Sequence, residues 1–320
     1  MKSQVYPFWL GPGINSGAKG RQITWRTSRA ARFSLRSDVS VFQKIKLITD
    51  SASDLPEEFC AKYNVEIVPL TIIFGEKEYK EEITLSPEEF WKKLMTYPEL
   101  PSTNQVNPHE FEEAFRPHLD DGYTILYIGL SHKLSGTLQS ATIAKEALGS
   151  PNIHIFDSYS ASIGQGLLVI RAAEMLKQGR SLEDILCELE VHRQNAFGRF
   201  TLDSLTHLVR GGRLSKTQAF FGSVLNIKPV LTITKEGTIQ VEEKVRSTRK
   251  ALQTIVARAK EQRSDFSNSQ VAVVHSYGAE SINELLDLVE SKLQPKEIIQ
   301  GLIGPTIGTH AGPGGVALFF

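Results

Sequence analysis

Short apolar runs recur from residue 45 onward, and the polar residues after each run separate strands from helices. Ile45 to Thr49 is a brief apolar strand that ends in the polar turn Asp50-Ser51-Ala52-Ser53-Asp54. Val65 to Ile73 reads as a strand pair, Thr124 to Leu130 as a fully apolar strand, and Ile153 to Asp157 as another. Between them lie helix-opening signals. Ser86-Pro87-Glu88-Glu89 and Asn107-Pro108-His109-Glu110 each supply a cap, a proline at the first turn and an acidic residue. Ser53 or Asp54 is expected to cap a helix that begins near Pro56 and runs through Phe59 and Cys60. A helix starts after Ser135-Gly136-Thr137, and one more runs through Met175. Alternating strand and helix predicts an α/β fold whose first sheet is mainly parallel and covered on both faces.

The second half changes character. A helix is predicted over Leu182–Asn195, a strand over Phe197–Leu202 and a short helix over Leu205–Val209. Val230–Ile233 and Ile239–Lys244 flank Glu236-Gly237 and read as a hairpin. A helix over Thr248–Lys260, a strand over Val271–His275, a helix over Ser281–Leu293 and strands at Ile298–Ile303 and Gly315–Phe320 complete a mixed sheet. A chain of 320 residues exceeds one typical core. Two folded domains are expected, 44–164 and 165–320, with the boundary between Gly164 and Ser181.

Residues 1–43 stand apart. Lys2, Lys19, Arg21, Arg26, Arg29, Arg32 and Arg36 face only Asp38, and Gly11-Pro12-Gly13 interrupts the stretch. It reads as a disordered tail or a start assigned too far upstream, with a transit peptide as the alternative; it lacks the apolar core of a secretory signal. Over the whole chain 36 basic residues balance 36 acidic ones, which argues against nucleic acid or an anionic membrane surface as the main partner. No apolar run reaches membrane-spanning length. Cys60 and Cys187 read as buried thiols of a reducing, cytoplasmic compartment.

Three polar clusters follow strands, where ligands sit in open α/β sheets. They are Asp50 to Asp54, Ser131 to Thr137, and the polar loop Pro101-Ser102-Thr103-Asn104-Gln105. Each is also what ordinary capping requires. The end of the chain, Gly308-Thr309-His310-Ala311-Gly312-Pro313-Gly314-Gly315, places one imidazole in a tight glycine-rich turn. That suits an anion held by bare backbone N–H groups, or equally a hairpin with a surface histidine. Leu208-Val209-Arg210-Gly211-Gly212-Arg213-Leu214 is a basic loop able to receive a carboxylate, a phosphate or an acidic partner, or simply solvated. It lacks Walker A spacing. His132, His154, His207 and His275 show no metal-ligand spacing, so no metal is expected.

Taken together, Ile48-Thr49-Asp50-Ser51-Ala52-Ser53-Asp54-Leu55, Thr103-Asn104-Gln105, Leu134-Ser135-Gly136-Thr137, Asp157-Ser158, Leu208 to Leu214 and Gly308 to Gly314 come in the order seen in the DegV family. The chain resembles that family from about Lys44 to Phe320. Two positions depart from the family pattern: Asn104 and Val106 replace the serine and proline of a Thr-Ser-Gln-Pro motif, and His132 replaces a serine. The resemblance implies a two-domain carrier that buries a long-chain fatty acid between its domains, its only small-molecule ligand. The first domain would share the EDD fold of dihydroxyacetone kinases. It further implies a carboxylate held by Thr103, Ser135 and His310, with backbone N–H groups at Gly136 and Thr137. Ser51, Asn104 and Thr309 would support the site, Arg210 would supply a nearby charge, and Arg213 would face a partner. The implied partner is the catalytic subunit of a fatty acid kinase. Two other classes remain: a hydrolase using Ser135 and His310, for which no G-x-S-x-G elbow is present, and a small-molecule kinase of the EDD type.

Overall fold

The computed structural model describes residues 44–215 and 227–320; the basic leader lies outside the described residues. In chain order the first elements are β1 (Ile45–Asp50), α1 (Glu57–Tyr63), β2 (Glu66–Val68), β3 (Thr71–Phe74), β4 (Lys77–Lys80) and α2 (Pro87–Thr96). Next come β5 (Ser102–Asn104), α3 (Pro108–Asp120), β6 (Thr124–Gly129), α4 (Thr137–Leu148), β7 (Ile153–Asp157) and α5 (Ile163–Lys177). Then follow α6 (Leu182–Asn195), β8 (Gly198–Thr201), α7 (Thr206–Arg210), β9 (Lys228–Ile233), β10 (Ile239–Val245) and α8 (Thr248–Gln262). The described chain closes with β11 (Gln270–His275), α9 (Ile282–Lys292), β12 (Glu297–Leu302), α10 (Pro305–Ala311) and β13 (Val316–Phe319).

Three sheets result. One is wholly parallel, in the order β2-β1-β6-β7. Of its two central strands β6 is almost wholly apolar, as burial on both faces favours, whereas β1 also buries Lys46, Thr49 and Asp50. The second is mixed and six-stranded, in the order β10-β9-β8-β13-β11-β12, with only β11–β12 parallel. The third is a small antiparallel sheet, β4-β3-β5. The segment read as one strand pair splits between sheets: β2 joins β1, whereas β3 beyond Pro69 joins β4 and β5.

The helix caps at Ser86 and Asn107 form full capping boxes with Glu89 and Glu110. The expected cap at Ser53 or Asp54 does not form. Asp50 instead accepts from Ala52 N–H to cap a single 3-10 turn, and Asp54 adopts a left-handed backbone with φ 49°. Its carboxylate is drawn inward to Ser162 and to the Gly304 N–H. The polar loop at Ser102–Asn104 proves to be β5, paired Ile72 to Thr103. The glycine-rich terminal segment also differs: Gly308, Thr309 and His310 are helical, on the last turn of α10. Cys187 is exposed and Cys60 half-buried, since the α6 and α1 faces that carry them turn toward solvent.

Helix α5 buries nine of its fifteen residues, with Arg171, Glu174 and Lys177 left on its outer side. Its residues share one core cluster with Leu47 and Ile128 of the parallel sheet and with Ala272, Ala317 and Phe319 of the mixed sheet. Helix α5 thereby packs against both the parallel and the mixed sheet.

Candidate functional site

His310 is positioned by α10, whose N-terminus is locked by buried carboxylates. Glu81 accepts from Thr306 N–H at 3.1 Å and from the Thr306 hydroxyl; Asp54 accepts from Gly304 N–H at 3.0 Å. Burial pushes Asp54 up to about 7 and Glu81 up to about 8. At the other end of α10 the His310 Nε2 lies 2.8 Å from the Thr103 hydroxyl, which β5 presents through its pairing with β3. The His310 Nδ1 is buried with no hydrogen-bond partner. It packs on Gly211, where a Cβ would sit 2.3 Å from that nitrogen. Burial, with Arg213 and His207 nearby, holds the imidazole down at about 4. At neutral pH it is therefore an uncharged ring that can donate or accept.

Ser135 precedes α4. Its hydroxyl lies 2.9 Å from the Thr137 hydroxyl and accepts from Thr137 N–H at 3.3 Å. Gly136 has no room for a side chain: a Cβ would stand 2.0 Å from Gln105 Oε1. Gln105 in turn donates to Ser140 at 3.0 Å, tying the β5 loop to α4. Arg213 reaches back across this region. Its Nε donates to Leu134 C=O at 2.9 Å, and it also donates to Gly211 C=O.

Thr103, Ser135, His310 and Arg213 line one cavity, with about 90 Å3 open to the centre of a water-sized sphere. The rest of its wall is largely aliphatic and aromatic, including Leu70, Leu130, Leu134, Phe200, Leu202, Leu208, Ile233, Ile239, Ile307 and Phe319. Thr103, Ser135 and Arg213 also line an open polar cleft with Asn104, Gln105, Gly136, Lys80 and Glu110. The polar group thus stands where a greasy interior meets a wet groove. This arrangement can hold the charged end of an amphiphile whose apolar part is buried.

The remaining predicted residues lie elsewhere. Ser51 donates to Glu81 at 2.5 Å and accepts from Leu70 N–H, so its hydroxyl is committed to the acid cluster. The Thr309 hydroxyl bonds back to Pro305 C=O within α10. Arg210 is exposed on the far side of α7. Arg213, rather than Arg210, lines the cavity, the chain turning at Gly211-Gly212 between them. His132 contacts Asp157 at 2.5 Å and is absent from the cavity wall. Glu81 and Phe319 contribute without having been singled out by the sequence, and Asp54 holds the start of α10 rather than capping α1. Their signal is long-range packing, which local spacing does not carry. No catalytic relay is assembled, since Ser135 faces Thr137 rather than His310 and no carboxylate reaches His310 Nδ1 among the described residues.

A parallel α/β sheet and a mixed sheet thus accompany an apolar cavity with polar residues at its mouth. The sequence profile of the DegV family matches residues 44–320. A DegV domain-containing protein of Caldanaerobacter subterraneus subsp. tengcongensis is 38% identical over 278 residues, covering 87% of this chain and 99% of the relative. Among solved structures, a fatty-acid-binding DegV family protein from Thermus thermophilus aligns with a TM-score of 0.81 and 32% identity, over 87% of this chain and 99% of that one. DegV of Bacillus subtilis, described as a fatty acid binding protein, aligns with a TM-score of 0.77 and 34% identity, over 87% and 98%. The chain belongs to the DegV family.

Proposed function

We propose that this protein is a non-enzymatic carrier that binds a long-chain fatty acid between residues 44–164 and 165–320. The acyl tail fills the apolar cavity, and the carboxylate meets Thr103, Ser135, His310 and Arg213. The observation that carries this reading is that one polar cluster lines both the apolar cavity and the open cleft. Each buried methylene contributes about 0.8 kcal/mol, so a C16 tail grosses roughly 11 kcal/mol before association costs. An unpartnered carboxylate would cancel much of that. Two hydroxyls, a neutral imidazole and a guanidinium supply the missing partners, the last with charge.

The cleft gives the head group a route outward. On our reading a kinase partner reaches the carboxylate there and the acyl phosphate occupies the same place. Asn104, Gln105 and Gly136 then line the phosphate side. We assign the cytoplasm as the compartment, where the two unpaired cysteines stay reduced. Among the described residues no helix is long and apolar enough to cross a membrane.

The test is a double substitution, Ser135→Ala with His310→Ala. The variant is expected to keep its circular dichroism spectrum and to lose the lipid that co-purifies with the wild type, as read by native mass spectrometry. Undiminished lipid on the folded double variant overturns the assignment.

A further inference from the structure

We propose that the ring of Phe319 is the end wall of the acyl cavity and sets the longest chain the protein accepts. This rests on the fatty acid reading above. On β13 the side chains alternate: Ala317 and Phe319 belong to the core cluster shared with α5, whereas Val316 and Leu318 belong to the cluster on the other face. Ala317 and Phe319 both line the acyl cavity. Phe319 pairs directly with Gly198 of β8. Glycine leaves the neighbouring site on that face empty, and the ring lies across it. A Cβ on Gly198 would stand 2.8 Å from Phe319 Cε1. The same ring edge reaches α5, where a Cβ on Gly164 would stand 2.7 Å from Phe319 Cδ1.

Both glycines border a second void beyond the ring. That void has about 50 Å3 open to the centre of a water-sized sphere; Leu168, Phe197, Ile233 and Phe320 line it along with Gly164 and Gly198, and Tyr159, His192, Arg193 and Lys235 form its polar side. Ile233 lines both spaces. The ring of Phe319 thus lines the acyl cavity and abuts Gly164 and Gly198 in the wall of the second void, seated in a slot made by two residues without Cβ atoms. Shortening that side chain joins the voids, and adding a methyl group at Gly198 drives the ring toward the acyl cavity. Gly198 has an ordinary extended backbone, so alanine meets only the ring and Ile233 at close range.

The experiment loads the full chain with an equimolar mixture of saturated fatty acids, from about twelve to about twenty-two carbons, and reads bound lengths by native mass spectrometry. Phe319→Leu is expected to raise the longest bound chain by about two methylenes or more, and Gly198→Ala to lower it by a similar amount. Wild type and folded variants binding the same longest chain overturns the inference while leaving the carrier intact. Wild type binding no fatty acid overturns the carrier reading itself. Gly198→Ala removes no buried apolar group, so it decides the question if Phe319→Leu does not fold.

Discussion

At the scale of single residues the site turns on His310, an imidazole held uncharged by burial at the end of a short helix. Its value in the fold, about 4, lies below the ordinary 6.5, so the unfolded chain takes up a proton first as the solution is acidified. The stability this ring contributes is whole above about 6.5 and is lost between there and about 4. In a ligand-free sample the His310 ring signals in NMR are expected to remain those of a neutral imidazole at pH 5. A bound carboxylate beside the ring should raise its value, so adding fatty acid is expected to shift that titration upward. The arginines give a second check. Arg213→Gln is expected to weaken fatty acid binding by calorimetry by about tenfold or more, while Arg210→Ala leaves it unchanged. Both arginines were visible as a basic loop in the sequence. Which one points inward depends on the turn at Gly212, with φ 74°, and on the Leu134 carbonyl it reaches, and neither is readable from composition.

Among elements, α10 departs clearly from its local pattern. The glycines from 308 to 315 suggest a turn; the helix forms because its N-terminal N–H groups are taken by Glu81 and Asp54 from distant parts of the chain. Gly308 is required by packing, since a Cβ there would sit 2.7 Å from Phe90. Strand β5 escaped for a similar reason, being too short and polar to show a period until β3 pairs with it. The strong local signals, such as the boxes at Ser86 and Asn107 and the apolar run of β6, do appear as read. The acid pair has a measurable consequence. Both carboxyls are raised in the fold, so the native state retains protons that the unfolded chain has lost. Stability is therefore expected to fall as pH rises from about 4 through about 8, flattening above. Glu81→Gln, which mimics the protonated acid, is expected to reduce that slope in thermal melts between pH 5 and 8. An unchanged slope would remove Glu81 as the cause.

For the whole molecule, the alternation of most strands and helices among the described residues and the parallel character of the first sheet are legible because each arises from short-range pattern. The cavity is not, because Leu70, Ile233, Ile307 and Phe319 come together from four separate elements or their edges. A carrier of this construction is expected to melt later when loaded. Fatty acid at a hundred times its Kd contributes about 2.7 kcal/mol, which scanning calorimetry should register as a rise in Tm of about 5–10 °C. A constant Tm across that titration would count against tail burial. Helix α5 gives the same calorimeter a further task. Because one buried rod touches both major sheets, neither can be heated loose while the other stays intact, and the melt should be a single peak. Damage to that rod is felt everywhere at once, so substitutions among the strand-borne wall residues are expected to lower the thermal margin less than substitutions in the hub.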